Sequence, residues 1–152
     1  MKKLLFVCLG NICRSPTAHA VMRQKLVHAG INVEVESAGT SASHKGEAPD
    51  PRSVRQGMQA GYDFSGIRSR PVQQHDFAYY DLILAMDNDN LTVLQQRCPP
   101  MYQHKLQLLL QYHPAYPQYT EVPDPYYGGA KGFAVVLALI EQGCNGLLQQ
   151  LR

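Results

Sequence analysis

The hydrophobic pattern switches between two periods along the chain. Leu4-Leu5-Phe6-Val7 is a short apolar run that reads as a buried strand. Ala18, Val21, Met22, Leu26 and Ala29 follow at helical spacing and stop at Gly30, a helix terminator. Ile31, Val33 and Val35 then alternate with Asn32, Glu34 and Glu36, the pattern of a half-exposed edge strand. Asp50-Pro51-Arg52 reads as the N-cap and first turn of a helix ending near Gly61. Leu82-Ile83-Leu84-Ala85-Met86 is apolar throughout, as in a buried central strand, and Asp87 caps the next helix with Leu91 and Leu94 facing inward. Lys105 to Leu110 is a further strand candidate. Phe133, Val136, Leu137, Ile140, Cys144, Leu147, Leu148 and Leu151 keep the three-to-four spacing of a long amphipathic helix. Gly143 and Gly146 lower its propensity without interrupting that face.

Alternating strands and helices predict an α/β fold, a four-stranded parallel sheet with helices on both faces. Its 152 residues fit a single domain spanning 1–152. Right-handed crossovers and an edge-type second strand give the order 2-1-3-4. The turn after the first strand then leaves the carboxyl end of a central strand, near the point where strand order reverses. Ligands bind there in open α/β sheets.

Composition narrows the partners. A formal net charge of +2 and no Lys/Arg block give no support for a nucleic-acid face. Met1-Lys2-Lys3 before the apolar run imitates an export signal, but the run stops short of the roughly 7–15 residues required. No stretch reaches the roughly 18 apolar residues of a membrane span, so no membrane partner is expected. Cys98 and Cys144 fall in or beside helical patterns, and a domain of this size needs no bridges. Reduced thiols in a cytoplasmic protein are therefore expected rather than two disulfides. The six histidines show no ligand spacing with one another or with a cysteine, so they are read as surface or packing residues and no metal site is expected.

The chemistry begins where the first strand ends, at Cys8-Leu9-Gly10-Asn11-Ile12-Cys13-Arg14-Ser15-Pro16. A thiol and a guanidinium lie on a short loop that opens a helix. Loop N–H groups and the positive helix end attract a dianion, and the same field with Arg14 favours a thiolate at Cys8. Gly10 and Asn11 permit unusual backbone angles. Ser15 is placed to hydrogen-bond the sulfur, and Pro16 suits a first helical turn. A thiolate attacking a phosphate ester must expel an alkoxide or phenoxide, which needs a proton donor on the leaving-group side. Asp124 offers one, in a loop stiffened by Pro123 and Pro125, with Tyr126 and Tyr127 able to wall an aromatic slot. The plainer reading of that segment is a turn before the last helix, which leaves the paired tyrosines unexplained.

Val7 to Pro16 together with Asp124-Pro125-Tyr126-Tyr127 resembles the low-molecular-weight protein tyrosine phosphatase family. Ser37-Ala38-Gly39-Thr40, Pro49-Asp50-Pro51-Arg52 and Met86-Asp87-Asn88-Asp89-Asn90 match in between. The resemblance implies cofactor-free hydrolysis of phosphotyrosine, and of aryl phosphates, through a phosphocysteine intermediate. It makes Cys8 the nucleophile, Arg14 the phosphate clamp and Asp124 the general acid and then base. Leu9, Gly10, Asn11, Ile12, Cys13 and Ser15 form the phosphate loop, Tyr126 and Tyr127 the pocket rim, and Ser37 a partner of Asn11. Cys13 matches a cysteine that forms a reversible disulfide with the nucleophile, protecting a sulfenic acid from further oxidation. A monomer acting on phosphotyrosine-containing proteins, a tyrosine kinase among them, is the implied biology.

Three rivals stand beside this expectation. An arsenate reductase on the same scaffold needs two more closely spaced cysteines, which Cys98 and Cys144 are not. A protein arginine phosphatase carries threonine where this chain has Ile12 and lacks the tyrosine pair. A phosphate- or phosphopeptide-binding module needs the cradle but not Asp124. Two departures from the family pattern stand out. Ser41 to Gly46 holds no tryptophan where many members place a pocket wall, and Ile67 occupies a position where a histidine is common.

Overall fold

The computed structural model describes residues 2–126 and 128–152. Its elements run Lys3–Cys8 (β1), Arg14–Ala29 (α1), Glu34–Gly39 (β2), Pro51–Gln59 (α2), Gln74–Tyr79 (α3), Leu82–Ala85 (β3), Asn88–Arg97 (α4), Leu106–Leu108 (β4) and Ala130–Leu151 (α5). All strand pairs are parallel and the sheet order is β2-β1-β3-β4, as the pattern predicts.

Period-two alternation along β1 splits the core into two layers. Leu4, Phe6 and Cys8 join Leu84 and Met86 against α1 and α5, where Val21, Met22, Ile140 and Cys144 are buried. Leu5 and Val7 join Ile83 and Ala85 on the opposite face, against Phe77 of α3 and Leu94 of α4. Each fully buried side chain of this size contributes about 1.5–3 kcal/mol. By length and composition α5 is apolar enough to cross a membrane, over Lys131–Leu151. Its apolar stripe instead forms one wall of the first core layer.

Two expectations shift and two elements were not expected at all. The edge strand begins at Glu34 rather than Ile31 and continues to Gly39, because pairing with β1 runs from Lys3↔Glu34 to Cys8↔Gly39. The strand expected over Lys105 to Leu110 is only Leu106–Leu108. Leu109 and Leu110 turn into a 3₁₀ segment, Leu109–Tyr112, and pack into the α5 layer. Helix α3 and a 3₁₀ turn at Pro100–Lys105 were not legible from periodicity. Asp50 and Asp87 do cap α2 and α4, accepting from Arg52 N–H and Asn90 N–H.

Candidate active site

The chain passes from β1 to α1 through five residues, Leu9 to Cys13. Asn11 reverses the loop at φ +56°, a left-handed conformation that asparagine tolerates better than most residues. Five loop carbonyls then find donors outside the loop. Cys8 and Leu9 accept from the N–H groups of Thr40 and Ser41, each at 2.9 Å, and Ile12 accepts from Asp50 N–H at 2.7 Å. Gly10 accepts from the Ser69 hydroxyl at 2.9 Å, and Cys13 from the Thr17 hydroxyl at 2.8 Å. With its carbonyls engaged elsewhere, the loop offers its N–H side to an anion. Cys13 places no side-chain cap on α1, so the first-turn N–H groups of that helix are open as well.

Cys8 Sγ lies at the base of this cradle. The Asn11 N–H donates to it at 3.3 Å and Ser15 Oγ lies 3.1 Å away. Asn11 Nδ2 donates to Ser15 Oγ at 2.7 Å, and the Arg70 N–H donates to Asn11 Oδ1 at 3.0 Å. Ser15 thus has one proton to share between the sulfur and the Ala38 carbonyl, 3.3 Å away. An ionised sulfur takes that proton, because charge-assisted bonds are the stronger.

Arg14 is 2 % exposed, and its guanidinium is held by groups far along the chain. Nη1 donates to Asp87 Oδ2 at 2.5 Å and to the Val122 carbonyl at 3.0 Å, while Nη2 lies 3.5 Å from Asp124 Oδ2. Burial opposes the charge on Arg14. The Cys8 sulfur and Asp87 outweigh it and lift the guanidinium above its ordinary value. Asp87 serves two elements at once, since its other oxygen caps α4. Val122 N–H donates to the Met86 carbonyl at 2.8 Å, which carries the acidic loop to the end of β3. Asp124 Oδ1 in turn accepts from Tyr126 N–H at 3.0 Å.

The resulting cavity, about 150 Å³, is bounded by the cradle, Asp124, Tyr126 and His44. Leu9 stands half-exposed at its rim. His44 was expected to be a surface or packing residue. It instead stands in the wall, its ring centroid 6.0 Å from that of Tyr126 and its Nδ1 2.9 Å from Glu47 Oε2. A side chain at Gly10 would meet the His44 ring at 2.9 Å, so this wall needs the glycine. His44 thereby fills the segment that lacks tryptophan.

The remaining expected residues divide. Arg52 lies over the Tyr126 and Phe133 rings at 5.4 and 4.6 Å and chelates Asp50, which backs the loop at Ile12. Cys13 is buried, and burial followed by the Asp50 charge pushes its thiol up to about 12. Ser37 does not meet Asn11. Its hydroxyl pairs with His19 Nδ1 at 3.0 Å, because Ser15 and Arg70 already occupy the Asn11 amide. Ile67 is buried in the core beside Tyr62 and Phe64, and its neighbours Ser69 and Arg70 support the loop. Tyr127 lies outside the described residues. All four cysteines are free, and no group of three or more potential metal ligands occurs among the described residues.

Sequence reasoning missed Asp87 as the partner of Arg14, and His44, Ser69 and Arg70 altogether. The position of Asp87 directly after an apolar central strand was the one available signal. The other three reach the site through tertiary packing alone.

The same architecture recurs in known proteins. Residues 3–152 match the family described as low molecular weight phosphotyrosine protein phosphatase. The chain is 41% identical over 154 residues to the low molecular weight protein-tyrosine-phosphatase of Streptomyces coelicolor, covering 99% of this chain and 93% of that one. A protein tyrosine phosphatase structure from Entamoeba histolytica aligns with a TM-score of 0.94 at 44% identity, covering 99% and 97% of the two chains. A Drosophila arginine phosphatase structure aligns at 0.91 and 33% identity, covering 99% and 97%. Fold and sequence agree from end to end, and the chain belongs to the low molecular weight phosphotyrosine protein phosphatase family.

Proposed function

We propose that this chain hydrolyses phosphotyrosine in proteins, and aryl phosphates generally, by two displacements at Cys8. The observation that carries the reading is a buried sulfur and a buried guanidinium in one anion cradle, with a carboxylate across the mouth. A phosphate dianion in the cradle takes the fork of Arg14 and leaves Asp124 facing the ester oxygen. The Cys8 thiolate attacks phosphorus, the bond to the ester oxygen breaks, and Asp124 gives its proton to the departing phenolate. Water then attacks the phosphocysteine, Asp124 accepts its proton, and the S–P electron pair returns to sulfur as phosphate leaves. Side chains supply every step, so no cofactor is required.

Phosphotyrosine is favoured over phosphoarginine by Ile12 in the cradle and by the aromatic rim at Tyr126. Kinetics with p-nitrophenyl phosphate and with matched phosphotyrosine and phosphoarginine peptides test the reading. Cys8→Ser should abolish turnover, and Asp124→Ala should slow it by about 10²–10⁴-fold. Full turnover in Cys8→Ser would refute the mechanism.

The reading extends to regulation and setting. Peroxide oxidation of Cys8 to a sulfenic acid, followed by condensation with the Cys13 thiol and loss of water, would give a reversible disulfide. Both thiols are buried and free in this structure, which leaves the pair available. The enzyme would act as a monomer in the reducing cytoplasm, with phosphotyrosine proteins, including a tyrosine kinase, as substrates.

A further inference from the structure

Beyond the catalytic pocket, one groove runs along the outer face of α2. Pro49, Val54 and Met58 line it throughout; Pro51 and Arg55 close one end, and Ile67 and Arg68 the other. The first of these sections is a shallow depression open to solvent. Met58 is 64 % exposed on this surface, a large apolar side chain with no burial to account for it.

Charge distinguishes the groove from an ordinary apolar patch. Arg55 and Arg68 are exposed on its rim and form no ion pair among the described residues. Of the other arginines in this part of the molecule, Arg14, Arg52 and Arg70 are each committed to an aspartate, and Arg23 donates to the Asp63 and Ser65 carbonyls. Asp63 is the carboxylate along the groove wall, and it already accepts from the Ser65 N–H and hydroxyl. The rim therefore presents two free cations over an apolar floor.

The groove also adjoins the site. Pro49 in its floor is followed by Asp50, whose N–H holds the Ile12 carbonyl of the phosphate loop. His44 lines the catalytic cavity and Pro49 lines the groove. Five peptide steps join them, so they lie at most roughly 18 Å apart, a distance an extended substrate covers in about five residues.

We propose that this groove binds the polypeptide flanking the phosphotyrosine, and that it selects segments carrying an apolar and an acidic residue within about five positions of it. The apolar side chain rests on Val54 and Met58 and the carboxylate pairs with Arg55 or Arg68. This rests on the phosphatase reading above and names the substrate class for it.

The test compares four substrates: p-nitrophenyl phosphate, a phosphotyrosine peptide flanked by serine and glycine, and two peptides carrying Leu and Glu at the third to fifth positions, one on each side of the phosphotyrosine. Wild-type protein should give a kcat/KM for one of the acidic–apolar peptides about tenfold above the neutral peptide. Arg55→Glu/Arg68→Glu and, separately, Met58→Asp should remove that advantage and leave p-nitrophenyl phosphate unchanged. Equal kcat/KM for all peptides in a wild type that hydrolyses p-nitrophenyl phosphate overturns the groove and not the phosphatase reading. A wild type that hydrolyses none of them overturns both. Variants that lower every substrate alike also overturn the groove, since the substitutions then act through the fold.

Discussion

His19 sets an acid limit on the stability of this enzyme. It is 5 % exposed on the inner face of α1, with Nδ1 on the Ser37 hydroxyl. Burial, aided by Arg23, pulls its pKa from 6.5 down to about 4. Glu36 lies 3.7 Å from Nδ1 and would favour the charged ring, but it is 41 % exposed and already accepts from the Ser37 N–H, so burial prevails. Between pH 6.5 and 4 the unfolded chain binds a proton here that the folded chain refuses. Stability from this group is therefore complete above pH 6.5, falls as pH drops through that window, and levels off below about 4. A shift of about 2.5 pH units at 1.36 kcal/mol each makes roughly 3 kcal/mol the ceiling. Urea unfolding followed by far-ultraviolet circular dichroism at pH 7.5, 6.5, 5.5 and 4.5 measures it. His19→Gln keeps a polar partner for Ser37 and removes the titration. The wild type should lose up to about 3 kcal/mol more than His19→Gln across the window. Parallel losses in the two proteins would show that this reasoning about His19 is wrong.

Three further outcomes are expected. Asp87→Asn keeps a good cap for α4 but removes the charge facing Arg14. Charged hydrogen bonds are worth about 1.5–3 kcal/mol, so kcat/KM for p-nitrophenyl phosphate should fall about 10- to 100-fold with circular dichroism unchanged. With its thiol held near 12, Cys13 has almost no thiolate at neutral pH. Iodoacetamide at pH 7.5 should leave it unmodified in the native protein by peptide mass spectrometry, and rapid labelling there would contradict the burial seen. Gly146→Ala would place a methyl 1.7 Å from the Tyr112 carbonyl oxygen. Alanine favours helix by about 1 kcal/mol, yet this variant should lose about 1–3 kcal/mol in urea, and a gain would count against the packing of α5.

The elements that could be read from the chain are those whose packing is periodic. α5 repeats one apolar face over many residues, and β1 is an unbroken apolar run because both of its faces are buried, so in each the burial and the sequence pattern coincide. α3 is six residues long, buries Phe77 and Asp76, and offers no repeat to detect. The Lys105 to Leu110 run is apolar enough for a strand, but its second half faces α5 rather than a strand neighbour. Within the site, Cys8, Arg14 and Asp124 stand in local motifs whose chemistry is recognisable from spacing. His44 was hidden because nothing local marks a histidine that a Glu47 contact and a facing glycine turn toward a pocket. Ser37 was misassigned because the competition for the Asn11 amide is settled by Arg70, which lies 59 residues beyond it.

The Arg14–Val122 bond spans 108 residues, and Asp87 and Asp124 reach the same guanidinium from 73 positions away and beyond. The carbonyl anchors of the phosphate loop, by contrast, all come from the first 69 residues. The loop backbone and its arginine are therefore held from different stretches of the chain. The phosphate loop is anchored from the first half of the chain, whereas Arg14 takes each of its side-chain and carbonyl partners from residues 87 to 124. Catalytic competence is in this sense a property of the finished fold, because the residue that grips the phosphate is itself gripped from the far half of the chain.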